Sequence, residues 1–400
     1  MKFYATHTVG GLVLGALLCT PPMVAAQQQT GEFQPSAVAG WTFTPGVVFG
    51  AMHDTNVTLL AKQPTQSPIG DSLFEFHPFG ELDYYSARGT MNAGYRGQFR
   101  RYIDLDALNS ADQRAFFTWR YRLSRRVNVF ASENFSATPT TDQLVLYGVP
   151  FQRRGSRYNA IAGTVDARLT RALDLSVHYD NTWVDFADSE TPFSGGYVNG
   201  VRTSLTNRFT DRVAFGGEYE ARWANLNGGL RQQLFQDVGA VFRYRIAEDT
   251  SFEAAGGLAL LNDRDRDLSR SGPYVRVEMV HRTQRATFGG EFNRSYVPSV
   301  AFGGTNQNES LRGYILMPLN RNRLYVQESG TWHRIDPFDP TELPLQSAWL
   351  TTVVGYRVQR WFRLEGYHAL TRQDTHQAGG LIHRQVFGVQ FVVSEPVRIH

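Results

Sequence analysis

Alternation of apolar and polar side chains, repeated from Trp41 to about Val393, constrains this chain more than any other feature. A β-strand points successive side chains to opposite faces. In 211–223, Val213, Phe215, Tyr219 and Trp223 fall on one face, while Arg212, Glu218, Glu220 and Arg222 fall on the other. In 273–282, Val275, Val277 and Met279 oppose Arg276, Glu278 and Arg282. In 384–393, Phe387, Val389, Phe391 and Val393 oppose Arg384, Gly388 and Gln390. Each such segment is a strand with one greasy and one charged face. The charged face is either the surface of a soluble sheet or the inner wall of a membrane barrel.

Punctuation between the strands favours the barrel. Tight turns fall near 87–89, 124–125, 170–171, 210–211, 247–248, 283–284, 320–321 and 359–360. Longer loops fall near 57–71, 104–111, 139–155, 187–194, 227–230, 264–270, 298–304, 337–345 and 374–381. Tight turns at one end and longer loops at the other are the sidedness of an outer-membrane barrel. The pattern predicts an all-β fold: a transmembrane antiparallel up-and-down β-barrel of about 18 strands with periplasmic termini. Glu133 and Glu328 fall on the apolar face, and a bulge or local register shift would remove that conflict. Soluble repeat folds would show blade or coil motifs, and a sandwich of this length would need several linked domains.

Tryptophan spacing gives a second signal. Trp183, Trp223 and Trp332 each lie twelve positions after a tight turn, counted from Arg171, Asp211 and Asn320. Twelve residues of tilted strand climb about 28 Å, close to one hydrocarbon thickness. These tryptophans are expected to form an outer aromatic girdle. Trp41, Phe43, Trp119, Tyr121, Tyr244 and Phe362 would form the inner one.

The N-terminus predicts export. Lys2 precedes an apolar stretch from Val9 to Leu18, and Val24-Ala25-Ala26 offers small residues for signal-peptidase cleavage after Ala26. Cys19 is the sole cysteine, but Leu18 stands where a lipobox needs a small residue. The expected organisation is a signal peptide over 1–26, a short periplasmic segment over 27–40 and the barrel over 41–400. The mature chain would then carry no disulfide.

Formal charge is nearly balanced at +3, but of 40 basic residues only Lys2 and Lys62 are lysine. If the apolar faces meet lipid, Arg96, Arg100, Arg114, Arg120, Arg122, Arg168, Arg202, Arg212, Arg222, Arg243, Arg245, Arg276, Arg282, Arg312, Arg357, Arg363 and Arg384 line the lumen. So do Glu75, Asp180, Glu218, Glu220, Asp237, Glu253, Glu278, Glu291 and Glu365. An arginine surplus would favour anions, whereas cross-strand pairing would make the wall structural. A barrel this wide encloses water unless something fills it. The loops near 57–71 and 139–155 are long enough to fold inward, and doing so would favour a closed form.

The sequence carries no G-x-S-x-G elbow, P-loop, H-E-x-x-H or C-x-x-C. His178 with Asp180 faces the lumen without a serine partner. His376 and His383 match no recognised ligand spacing. Asp54-Thr55-Asn56 reads as a loop-opening turn, with calcium as the alternative. Basic residues are dispersed by strand geometry and form no nucleic-acid patch. No enzyme activity, cofactor or metal is expected.

The segment 41–57, Trp-Thr-Phe-Thr-Pro-Gly-Val-Val-Phe-Gly-Ala-Met-His-Asp-Thr-Asn-Val, resembles the β-barrel porin family of Gram-negative outer membranes. There a strand with proline and glycine runs into a Tyr/His-Asp-Ser/Thr-Asn-Val element. The turns 169–175 and 358–364 are similar too. Many members of that family sit in exopolysaccharide loci. The resemblance implies a channel in the outer membrane for polar or anionic solutes, contact with lipid, and insertion by the barrel-assembly machinery. Alternatives are an export conduit for an acidic polysaccharide and a structural or adhesive barrel with a closed pore. Typical barrels end on an aromatic residue; here Phe391 would serve, with a tail beyond it.

Overall fold

The computed structural model describes residues 39–61, 67–144, 146, 148–187, 193–226, 231–263, 265, 267–283, 285–320, 323–339, 342–375 and 380–399. The expected signal peptide, Cys19 and His376 lie outside the described residues, as does nearly all of 27–40. No helix is long and apolar enough to cross a membrane.

The chain forms one antiparallel sheet closed on itself. The strands are β1 (Gly40–Asp54), β2 (Asp71–Tyr85), β3 (Gly89–Tyr102), β4 (Ser110–Arg122), β5 (Val127–Thr138) and β6 (Ser156–Arg168). Next come β7 (Leu173–Phe186), β8 (Gly196–Arg208), β9 (Val213–Leu226), β10 (Arg231–Ala247), β11 (Thr250–Asp263) and β12 (Leu268–Arg282). The last are β13 (Thr287–Pro298), β14 (Thr305–Leu319), β15 (Leu324–Pro337), β16 (Leu345–Gln359), β17 (Phe362–Asp374), β18 (Leu381–Ser394) and β19 (Val397–Ile399). Each strand pairs with its chain neighbours, and β18 pairs with β1 to close an up-and-down barrel. β19 continues β18 in the same register on β1, with Gly46 opposite Ser394 and Phe43 opposite Val397. The ladder breaks where Pro396 and Pro45 stand, because proline has no N–H to give it. The wall is therefore an 18-strand barrel with one interrupted seam strand, and the tail beyond Phe391 is part of the seam.

Five tight turns share one local device. The hydroxyl of Ser86, Ser124, Thr170, Thr210 or Thr283 accepts the backbone N–H groups two and three residues on, as Thr210 does from Arg212 and Val213 at 3.2 and 3.0 Å. This hydroxyl turn satisfies donors that no ladder reaches.

The apolar face points outward. Phe74, Tyr95, Phe99, Phe215, Tyr219, Leu258, Leu311 and Phe387 are exposed, while the intervening positions are buried or half-buried. An apolar band around the whole wall has no counterpart on a water-soluble monomer and matches a hydrocarbon surround. Trp183, Trp223 and Trp332 take outward positions. Glu133 and Glu328 also face outward, and pairing runs through both without a shift. The expected bulge is absent; instead Glu133 accepts a hydrogen bond from the outward Asn159 at 3.3 Å.

The buried core sits inside the barrel at its long-loop end. Leu144 and Val149 from 139–155, with Val300 and Ala301 from the β13–β14 loop, pack on Phe186, Leu226, Phe235, Leu261 and Tyr274 of the inner wall. Wall and loops together thus make a hydrophobic core across what would otherwise be open bore.

Candidate functional site

The segment 139–155 leaves the β5–β6 hairpin and crosses the bore. Its contacts come from inward side chains on distant strands. Arg114 of β4 donates to Gln143 at 3.2 Å, and Trp349 of β16 donates its indole N–H to the Asp142 carbonyl at 2.9 Å. Gln373 of β17 accepts from the Phe151 N–H at 2.8 Å and donates to the Val149 carbonyl at 3.1 Å. Arg384 of β18 holds Asp54 through Nε and Nη2, at 3.0 and 2.6 Å, and holds the Asp142 carboxylate through Nη1. All three charged side chains are buried. A buried pair persists only where geometry satisfies both charges, so the Asp54–Arg384–Asp142 triangle fixes the segment in place.

The first long loop joins this closure. Asn56 donates to the Leu60 and His383 carbonyls at 2.9 and 3.1 Å, and Arg153 donates to the Val57 carbonyl at 2.7 Å. Leu59 packs with Phe151, Trp349 and Ile382. Asp54-Thr55-Asn56 is a turn, with the Asn56 N–H on Asp54 Oδ1 at 3.0 Å. The Asp54 carboxylate already has its cation partner in Arg384. Among the described residues no group of three or more His, Cys, Asp or Glu side chains is placed to hold a metal.

Beneath the crossing segment lies a cavity of about 640 Å³. It runs from the short-turn rim, at Thr42, Tyr85, Arg360 and Pro396, up to Asp142 and Gln143. Strands β1–β4 and β15–β18 supply its walls. Arginines and carboxylates alternate along it. At the loop end Arg100 pairs with Glu75 at 2.9 Å and Asp112 at 3.2 Å. Nearer the rim Arg363–Glu365 is 3.6 Å and Arg96–Glu81 is 3.8 Å, and at the rim itself Arg360–Glu395 is 2.8 Å. Arg357 stands directly opposite Arg363.

The other half of the bore is braced rather than open. Arg276 of β12 reaches Glu218 of β9 at 2.7 Å and Glu253 of β11 at 2.6 Å. Arg243 adds a 2.6 Å bond to Glu253. Arg222 of β9 bonds Asp237 at 2.5 Å and Ser295 of β13 at 2.7 Å. Arg276–Glu218 and Arg222–Ser295 span strands that are not neighbours, while the other links join paired strands. Glycines between them let the sheet bend: a Cβ on Gly257 would lie 2.0 Å from the Val238 carbonyl oxygen, and one on Gly239 2.5 Å from that of Gly256. No other residue fits so close an approach.

The sequence-derived residues separate into three groups. Arg96, Arg100, Arg114, Arg357, Arg363, Glu365 and Arg384 border the cavity. Arg202, Glu218, Glu220, Arg222, Arg243, Arg276, Glu278, Glu291 and Arg312 face inward on β8–β14 but do not border it. Arg120, Arg122, Arg168, Arg245 and Arg282 hold inward register positions at the short-turn rim and are exposed. Arg212 is not in a strand; it lies exposed in the β8–β9 turn, because β9 begins only at Val213. His178 shares a hydrogen bond with Thr164 at 2.9 Å and lies 3.7 Å from Asp180. His383 faces outward. Asp142, Trp349 and Gln373, which hold the closure, were not singled out by sequence. A lone tryptophan at a polar-face position of β16 was the available signal.

No protein-family model matches the chain, and no curated protein matches it. Among solved structures it is similar to the outer membrane protein OpdK from Pseudomonas aeruginosa, at 12% identity over 89% of this chain and 99% of that one, with a TM-score of 0.42. OccAB4 of Acinetobacter baumannii matches at 11% identity over 91% and 100%, TM-score 0.43. OccK9 (OpdG) of Pseudomonas aeruginosa matches at 11% over 89% and 98%, TM-score 0.44.

Proposed function

We propose that the protein is an outer-membrane channel for small polar solutes, with periplasmic termini and a bore narrowed by the segment 139–155. One observation carries this reading. A cavity of about 640 Å³ with arginines and carboxylates in its lining rises from the rim to the crossing segment inside a barrel whose exterior is apolar. Such a cavity has the volume of a small-molecule site and is too small to seat a folded partner. The apolar outer face supports lipid as the barrel's neighbour, and insertion by the barrel-assembly machinery is part of the same proposal.

Anion preference is the finer part of the proposal. Arg100 and Arg384 are committed to buried carboxylates and contribute little field to a passing solute. Arg96, Arg114, Arg357 and Arg363 face the cavity, with Arg96 3.8 Å from Glu81, Arg363 3.6 Å from Glu365 and Arg114 donating to Gln143. A solute carboxylate or phosphate passing them would meet planar donors along the cavity wall. The test is the reversal potential of refolded protein in a planar bilayer under a salt gradient. Arg114→Gln and Arg357→Gln should shift it toward cation preference, while Arg276→Gln should not if the barrel stays folded. A reversal potential unmoved by all three would sink the anion reading.

The inturned segment favours a second reading, a barrel that stays closed at rest. An exporter of acidic polysaccharide would need the whole of 139–155 displaced, since it contacts β4, β16, β17, β18 and the first long loop. Steady conductance without any added factor separates the open channel from both alternatives.

A further inference from the structure

The tight turns carry a pattern that permeation does not use. Five are hydroxyl turns, and each places an exposed arginine beside the capping Ser or Thr: Arg88, Arg126, Arg171, Arg212 and Arg285. Arg323 and Arg360 occupy two more turns. Only the β10–β11 turn reverses the sign, with Glu248 and Asp249. Among the described residues just one of the seven arginines is salt-bridged, Arg360 to Glu395 at 2.8 Å.

Most of these turns also present an outward apolar side chain within a few residues of the arginine. Leu123, Leu169 and Phe209 precede the turns and are exposed, Phe209 to 66%. Leu319, Val358 and Trp361 do the same on β14 and on the β16–β17 hairpin. Apolar anchor and guanidinium therefore alternate around one rim.

We infer that this rim is an arginine collar that binds the phosphate headgroups of anionic phospholipids in the adjacent leaflet. The distribution selects the partner. A docked protein contacts one patch, whereas this charge recurs hairpin after hairpin around the perimeter and is continuous with the apolar band. A leaflet alone presents phosphate at the right height to every hairpin at once. Guanidinium groups match phosphate oxygens with paired donors. Basic side chains at an anionic surface are attracted across a Debye length. The inference rests on the reading of the protein as a membrane barrel with this rim at the bilayer surface.

The experiment uses full-length refolded barrel in phosphatidylcholine bilayers, with spin-labelled phosphatidylglycerol or phosphatidylcholine as the probe. Boundary-lipid association should favour phosphatidylglycerol by about fivefold at low salt and lose that preference at high salt. Replacing Arg88, Arg126, Arg171, Arg212 and Arg285 by Gln should abolish the preference. Replacing the outward arginines of the other rim, Arg101, Arg157, Arg334 and Arg372, should leave it. Heat-resistant electrophoretic mobility scores insertion independently. A barrel that does not insert overturns the membrane reading itself. One that inserts yet associates equally with both lipids, or keeps its preference after the five changes, overturns the collar alone.

Discussion

Releasing the segment 139–155 should turn a narrowed bore into a conducting one, and the structure says what release costs. The double change Asp142→Ala with Gln373→Ala removes two of the side chains that tie it to the wall, leaving Trp349 and Arg114 in place. Asp142 is one half of a buried pair with Arg384. Breaking such a pair costs about 3 kcal/mol, the low end of the usual range, because Asp54 stays on Arg384. Gln373 satisfies the buried Phe151 N–H and Val149 carbonyl. Orphaning two buried backbone groups adds about 2 kcal/mol. The sum, about 5 kcal/mol, raises the population with the segment displaced by more than about a thousandfold. Wall strands are untouched, so far-UV circular dichroism and heat-resistant mobility should not change. Single-channel recording should show larger and noisier conductance than the parent. If the folded variant conducts as the parent does, the segment is not the constriction and the passage runs elsewhere.

Four further outcomes follow from named contacts. Arg276→Met leaves Glu218 without its arginine and should destabilise the barrel by about 3 kcal/mol in urea unfolding from vesicles. Arg168→Gln, whose contact with Asp174 is 3.8 Å and half exposed, should change stability by no more than about 0.5 kcal/mol in the same assay. Gly257→Val drives a side chain into the Val238 carbonyl and should collapse refolding yield measured by electrophoretic mobility. Glu133→Leu should stabilise the barrel by about 1 kcal/mol, since a carboxylate on a lipid-facing wall is a cost. A loss of stability there would mean that the Asn159 hydrogen bond outweighs that cost.

Strand number, sidedness and facing were legible because a period of two leaves each residue only one of two faces. Val213, Phe215, Tyr219 and Trp223 declare their face without any tertiary information. The 139–155 loop declared its length but not its destination. Nothing in Asp142 or Gln373 names a partner, because those partners, Arg384 and Phe151, each lie more than two hundred positions away. Glu133 and Glu328 show the opposite failure. Alternation placed them on the outer face, and that placement needed no repair; the expectation of a bulge came from treating the apolar face as uniform.

Counting arginines on the polar face treats the wall as one surface, and the structure divides it in two. On β9–β13 a sharp bend made possible by Gly239 and Gly257 brings opposite charges to within 2.5–2.7 Å, between paired strands and, for Arg276 and Glu218, between β12 and β9. Those arginines spend their field on carboxylates and hold the bore shut on that side. Around β15–β4 Arg363–Glu365 and Arg96–Glu81 stand at 3.6 and 3.8 Å, and a cavity remains. Curvature thus decides which arginines brace and which face a solute, and curvature is set by glycines that carry no charge at all. Neutralising changes on β9–β13 should therefore be read out as stability, and the same changes on β15–β4 as ion preference, although the residues are chemically identical.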